Sequence, residues 1–466
     1  MRRKPLLALD EKSLREKEAR FCSYGDTVHY SPVPKIFESC EGSFLYDNAG
    51  KEYLDLQMWY SAVNFGYRNP ALIGALKAQL DKLPQLACQY LHPEKILLAE
   101  KLANECLRAF GVQGRIQFNV GGAQAVEDSL KLVRNETRKS LMFAFTGGYH
   151  GRTLGASEIT SSYRYRRRFG HFSNRAHFVP FPYCYRCPYG KTLESCDYYC
   201  AKQFEALFET EYNSFWDPRA KESEFSAFYV EPVQATGGYI IPPPDYLKRI
   251  KKVLDERKIL LVDDEIQMGF FRTGKFWALE HFGVTPNIVV FGKAMTNGLN
   301  PLSGVWAEER LISPQKFPPG STHSTFSANP LGTAAALATL QWIEQRHYEK
   351  KVAESGAYFL KGLQELKKRH KTIGDVSGLG LALRIEVTEQ DRWTPNKALA
   401  DKIFEAGLAG GIPTARGPMG LVLDIGGHYK NVFTLAPSLE ISRKEIDLAI
   451  ETLDYLFKTC SAKLAS

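Results

Sequence analysis

A chain of 466 residues with 44% hydrophobic and 24% charged side chains exceeds one small core and reads as two or three globular domains. Its 60 basic and 52 acidic residues leave a net charge of +8, too modest to define a nucleic-acid binder and enough only to favour anionic ligands. No run approaches 18 apolar residues, which argues against a transmembrane helix, and nine cysteines, an odd set, fit a reducing cytoplasm better than a disulfide framework.

The start, Met1-Arg2-Arg3-Lys4-Pro5, is basic, but only Leu6-Leu7-Ala8-Leu9 follows before Asp10 and Glu11, too short for a secretory signal. Residues 1–70, punctuated by Gly66 and Pro70, are too irregular for a core of their own and are expected to pack on a smaller domain. Pro93–Phe110 predicts a helix, with Pro93 in its first turn and Ile96, Ala99, Leu102, Ala103, Cys106 and Phe110 as its stripe. Strands are predicted at Arg115–Val120, Ser140–Phe145, His177–Phe181, Ser226–Val230, Ile259–Val262 and Asn287–Phe291, with helical segments such as Ala123–Arg134 between them. Strands that are nearly continuously apolar and alternate with helices indicate an α/β fold with a mostly parallel sheet covered on both faces, here over residues 71–330. Residues 331–466, with helices at Leu331–Glu344, Lys350–Lys368 and Arg443–Lys458 and strands near Leu381–Val387 and Val432–Leu435, predict a smaller α+β domain.

Two local patterns carry open alternatives. The run Arg164-Tyr165-Arg166-Arg167-Arg168 mixes basic and aromatic residues as nucleic-acid surfaces do, but no second basic cluster accompanies it, and a solvated surface stretch is the simpler reading. Cys184, Cys187, Cys196 and Cys200 have spacings within reach of a structural zinc site, or they mark an insertion of reduced, partly buried thiols; no catalytic metal is expected.

Ligands of open parallel sheets bind outside the carboxyl ends of the strands, and here those ends carry unusual residues. Gly121-Gly122-Ala123-Gln124 opens a helix whose free amides would suit a phosphate. Gly147-Gly148-Tyr149-His150-Gly151-Arg152 offers an aromatic face, an imidazole and a guanidinium. Glu231 and Gln234, then Asp264 and Gln267, and finally Lys293 follow at successive ends. A lysine with a depressed pKa can form a Schiff base with an aldehyde, and a carboxylate can hold a pyridine nitrogen protonated, so the set suggests pyridoxal phosphate. Each residue alone has a plainer reading as a solvated lysine, a helix cap or a core aromatic.

The stretch Val262-Asp263-Asp264-Glu265-Ile266-Gln267-Met268-Gly269-Phe270-Phe271-Arg272-Thr273-Gly274, together with Lys293, resembles the signature of class III pyridoxal-phosphate aminotransferases of fold type I. Tyr149-His150-Gly151-Arg152-Thr153, Glu231-Pro232-Val233-Gln234 and Thr322–Pro330 resemble further segments of that family, and the likeness spans Gly42 to Ala449. The resemblance implies that Lys293 forms the internal aldimine and moves the proton between Cα and C4′, and that Asp264 pairs with the pyridinium nitrogen. It places Gln267 near the ring oxygen, Tyr149 against the ring and Glu231 in the cofactor site. It gives the phosphate to the Gly122 and Ala123 amides and to Thr325 of a neighbouring subunit, hence a homodimer with shared sites.

The chain departs from this pattern where many members carry a glutamate–arginine switch for handling glutamate. Those places hold Thr236 and Thr434. Losing both together is coherent, because losing one would strand a buried charge at roughly 3–5 kcal/mol. The expected activity is therefore transfer of an amino group from an amine or ω-amino acid to a keto acid, pyruvate rather than 2-oxoglutarate. Racemisation, epimerisation or phospho-lyase chemistry in the same fold is the alternative. Arg152 remains as a carboxylate fork. Arg416, beside an apparent insertion around Leu421–His428, is either a mobile carboxylate-binding arginine or a surface one, and Trp59 and Tyr60 either line the substrate entrance or pack in the core.

Overall fold

The computed structural model describes residues 10–25, 31, 33–170 and 175–462, so the basic start and short apolar run at Met1–Leu9 lie outside the described residues. Its largest sheet has seven strands in the spatial order Gly114–Asn119, Ser303–Glu308, Ile288–Phe291, Leu260–Asp264, Phe225–Val230, Leu141–Phe145 and Ala176–Val179. Six run in one direction, and Ser303–Glu308 is antiparallel to both neighbours.

Alternation along the strands explains why both faces are covered. In Ile288–Phe291, Val289 and Phe291 join a core with Phe143, Phe228 and Trp277. Ile288 and Val290 join a second core on the opposite face, with Val126, Leu130 and Val262. Each such side chain withdrawn from water contributes roughly 1.5–3 kcal/mol, so a two-residue period apolar at every position selects burial between two helical layers.

The strand Ser303–Glu308 was not anticipated. Its run Ser-Gly-Val-Trp-Ala-Glu follows Asn300-Pro301-Leu302, which reads as a turn. Gly304 is required there because a Cβ would stand 2.7 Å from the Gln117 carbonyl and 2.8 Å from the Phe291 ring. Other predicted elements shift at their ends; the strand expected to stop at Val262 runs through Asp264 itself.

A four-stranded antiparallel sheet, Ile373–Leu379, Ala382–Val387, Val432–Leu435 and Ile425–Gly426, forms the sheet of the C-terminal part. The helices Tyr348–Arg369, Lys397–Ala409 and Arg443–Ala462 belong to the same part. Among the first 70 residues, the described segment 33–70 is more regular than expected. Phe37–Glu41, Phe44–Asp47 and Glu52–Asp55 make an antiparallel meander, and Glu52–Asp55 pairs in parallel with Gly420–Val422. Buried Arg272 crosses between the parts, donating from Nη1 to the Leu381 and Pro437 carbonyls at 3.1 and 2.6 Å and from Nη2 to Asn64 Oδ1.

Candidate active site

Because six strands run in one direction, Asn119, Phe145, Val230, Asp264 and Phe291 end at the same edge of the sheet. Lys293 opens a short 3-10 turn, Lys293–Thr296, just past Phe291, at a left-handed φ of 42° that a non-glycine residue adopts only when its surroundings hold it there. Burial lowers its pKa to about 8 against the opposing pull of the Asp264, Glu231 and Asp424 charges. Its Nζ donates to Gln267 Oε1 at 3.0 Å, and Gln267 Nε2 donates to the Tyr239 hydroxyl at 2.9 Å. Tyr239 thus fixes the Gln267 amide so that its oxygen meets the lysine.

Asp264 is buried and held from two sides: Oδ1 accepts the Ile266 amide at 3.1 Å, and Oδ2 lies 2.8 Å from His150 Nδ1. Burial disfavours charge on His150, but the hydrogen bond and charge of Asp264 outweigh it and leave the imidazole pKa raised. Adjacent Asp263 and Glu265 differ. Burial, together with their mutual charge, pushes Asp263 well up, and burial carries Glu265 to about 8.

Glu231 is buried, pushed up to about 7 by burial, and accepts the Tyr149 and Ala235 amides at 3.0 and 3.2 Å. It thereby anchors the segment that presents Tyr149. The Tyr149 ring meets Tyr165 edge-on at 5.1 Å, and the Arg152 guanidinium lies 4.5 Å over Tyr165 and 5.9 Å from Tyr149. The helix Gly122–Thr137 begins beside this segment. A Cβ on Gly151, whose φ is 133°, would come within 2.7 Å of Ala123 Cβ, so glycine permits that close approach. The Gly122 and Ala123 amides, in the first helical turn, have no acceptor within the helix.

One cavity of about 520 Å³ gathers Trp59, Tyr60, Tyr149, Arg152, Gln267 and Lys293, with Tyr165, Thr236, Asp424 and Lys430 also on its wall. Trp59 and Tyr60 sit in a run of four left-handed residues, Met58 to Ser61, entered through Gln57 and Met58 amides that donate to Asp55 Oδ1 at 2.7 and 2.9 Å. Glu231 and Asp264 stand among its supports rather than on its wall, tied in through the Tyr149 amide and His150. Tyr165, grouped by sequence with a basic surface run, turns inward. Asp424 was missed; its signal was a single carboxylate inside the apolar run Leu421-Val422-Leu423-Asp424-Ile425.

Arg416 and Thr325, also singled out by sequence, are not on this wall. Arg416 pairs with Glu52 Oε1 at 2.9 Å and covers the Phe44 ring, because its loop lies beside the N-terminal meander. Thr325 is exposed in the loop ahead of the helix Pro330–Glu344. Cys184, Cys187, Cys196 and Cys200 line one small recess as free thiols. Among the described residues no group of three or more His, Cys, Asp or Glu is arranged to hold a metal.

The constellation fits pyridoxal phosphate: a lysine able to lose its proton near neutrality, a carboxylate oriented from two sides, an aromatic ring on the wall and open amides at a helix start. Comparison with known proteins agrees. Residues 27–457 match the model of the family described as aminotransferase class-III. A leucine/methionine racemase of Thermococcus litoralis is 31% identical over 95% of this chain and 95% of its own. An ornithine aminotransferase of Brevibacillus brevis is 31% identical over 91% and 94%. An amine transaminase from an uncultivated Pseudomonas species, solved with pyridoxal phosphate bound, superposes with a TM-score of 0.81 at 26% identity over 94% and 96%. The chain belongs to the class-III aminotransferases, pyridoxal-phosphate-dependent enzymes of fold type I.

Proposed function

We propose that the protein moves an amino group from an amine or ω-amino acid to a keto acid, pyruvate in preference to 2-oxoglutarate. The observation that carries this reading is the Lys293 amine, depressed to about 8, on the wall of the one cavity that also holds Tyr149, Gln267 and Arg152. Bound pyridoxal phosphate supplies an electron-accepting ring. Lys293 Nζ, half protonated near pH 8, can take a proton from substrate Cα and return one. Asp264, fixed by His150 and the Ile266 amide, presents a stationary negative charge to the ring nitrogen, and Tyr149 is poised to stack on the ring. Gly122 and Ala123 offer the phosphate their amides. Thr325, exposed and away from the cavity of its own chain, would reach the phosphate of a second copy in a homodimer. Arg152 offers one guanidinium to a keto-acid carboxylate. The Asp424 carboxylate on the same wall disfavours a second carboxylate, as in 2-oxoglutarate, which supports pyruvate. Nine free thiols support a reducing, cytoplasmic setting.

Likeness to a leucine/methionine racemase supports a second reading, racemisation of an amino acid. The test uses the protein with its cofactor and an amine, first without a keto acid. Under the proposal the violet absorption bleaches and pyruvate restores it, with alanine formed faster than glutamate forms from 2-oxoglutarate. A band that persists while an amino acid loses its chirality overturns it in favour of racemisation.

A further inference from the structure

Asp424 is the unusual charge in the cavity. It sits between Gly420–Val422, which pairs with the N-terminal meander, and the edge strand Ile425–Gly426 of the antiparallel sheet, so two sheets fix its position. Its carboxylate is held by neutral donors: Thr434 Oγ1 donates to Oδ2 at 2.6 Å and Gln57 Nε2 approaches Oδ1 at 3.5 Å. Among the described residues no lysine, arginine or histidine is paired with it, although Lys430 on the same wall and Lys293 interact with its charge. Neutral donors aim a carboxylate without cancelling its charge, and burial raises the Asp424 pKa against the opposing pull of the Lys430 charge, so the charge stays costly. A ligand ammonium placed against Asp424 would relieve this cost, whereas a ligand carboxylate would add to it.

From this arrangement we propose that Asp424 is a specificity-determining residue that receives a second, cationic amino group of the amino donor, so that diamines and diamino acids are preferred over monoamines of the same length. The inference rests on the transaminase reading. The amine that reacts lies at Lys293 and the one that does not lies at Asp424, both on the wall of one cavity. Trp59, Tyr60 and Tyr149 supply aromatic surface for the methylenes between, and Arg152 is free to take a carboxylate where the donor carries one. Thr434 and Gln57 then act as positioning residues, setting the direction of the acceptor oxygens.

The test compares 1,4-diaminobutane with 1-aminobutane, and 2,5-diaminopentanoate with 2-aminopentanoate, on the cofactor-loaded enzyme and on its Asp424→Asn and Asp424→Glu variants. Asn keeps the shape and can still accept from Thr434 while losing the charge. The expected result is a ratio of kcat/KM favouring the doubly charged donor in at least one pair by about tenfold or more, carried mostly by KM. That ratio collapses in Asp424→Asn and is partly kept in Asp424→Glu. Calorimetric binding of the same amines to borohydride-treated protein, which cannot turn over, should show the same charge preference and the same loss. The proposal is overturned if neither pair shows a preference, or if the preference survives unchanged in Asp424→Asn. Monoamines that bleach the violet band with no diamine preference would sink this inference and leave the transaminase reading standing. Absence of any cofactor band would sink that reading, while the calorimetric comparison would still report on Asp424.

Discussion

His150 Nδ1 and Asp264 Oδ2 lie 2.8 Å apart, both buried, and the pair ties the segment that presents Tyr149 to the end of the central strand. Replacing His150 by Phe leaves a buried carboxylate with only the Ile266 amide and should cost roughly 3–5 kcal/mol of stability. The charge-dependent part has a definite pH window. Because the imidazole pKa is raised from 6.5, that part is fully present below about pH 6.5 and fades as pH rises through the raised folded value. Urea unfolding of wild type and His150→Phe at pH 6 and pH 9 checks this; an equal difference at both would refute the charge argument.

Lys293 gives a second pH signature. With its pKa lowered to about 8, the fraction of free amine rises about tenfold per unit below that value and levels above it. The rate at which cofactor-free protein takes up pyridoxal phosphate should follow the same curve. A rate still climbing steeply at pH 10 would show an ordinary lysine. Lys293→Ala should show no violet band and no borohydride-stable label.

Arg272 is predicted to matter for folding rather than turnover. It satisfies two buried carbonyls and the Asn64 side chain, and burial lowers its own pKa to about 10. Arg272→Met leaves those acceptors unpaired, and denaturant titration should register a loss of about 2–4 kcal/mol.

Gly298 bears on the substrate wall. Its φ is 70°, and a Cβ there would lie 3.1 Å from the Trp59 ring. Gly298→Ala should push Trp59 into the cavity and raise KM for amines several-fold, with kcat changed less, as steady-state kinetics would show.

Arg416 should be dispensable. Its exposed pair with Glu52 is worth about 0–1 kcal/mol, and its side chain is turned away from the cavity. Arg416→Ala should keep KM for pyruvate within about twofold. A tenfold rise would mean that the arginine leaves Glu52 to meet substrate.

What the sequence made legible was set by how local each signal is. Lys293, Asp264, Tyr149 and the Gly122 turn each follow an apolar run, and a parallel sheet brings run ends to one edge without any knowledge of side-chain contacts. Ser303–Glu308 was lost because Asn300-Pro301-Leu302 just ahead of it reads as a turn, and its reversed direction depends on its neighbours. Asp424 escaped because it lies between a three-residue and a two-residue strand, each defined only by pairing with distant chain. The left-handed turn at Trp59 and Tyr60 likewise has no local sequence signal; tertiary contacts impose it.

The parallel pairing of Glu52–Asp55 with Gly420–Val422 sets an order of events during synthesis. Gln57 meets Asp424 367 residues further along the chain, so this wall of the cavity cannot close until the chain through Asp424 has been made. The meander emerges from the ribosome well before its partner strand and must wait with one strand edge open until Gly420–Val422 covers it. A nascent chain stopped before Gly420 would therefore hold the lysine and its sheet but offer no finished pocket, and its unpaired edge would be exposed to aggregation.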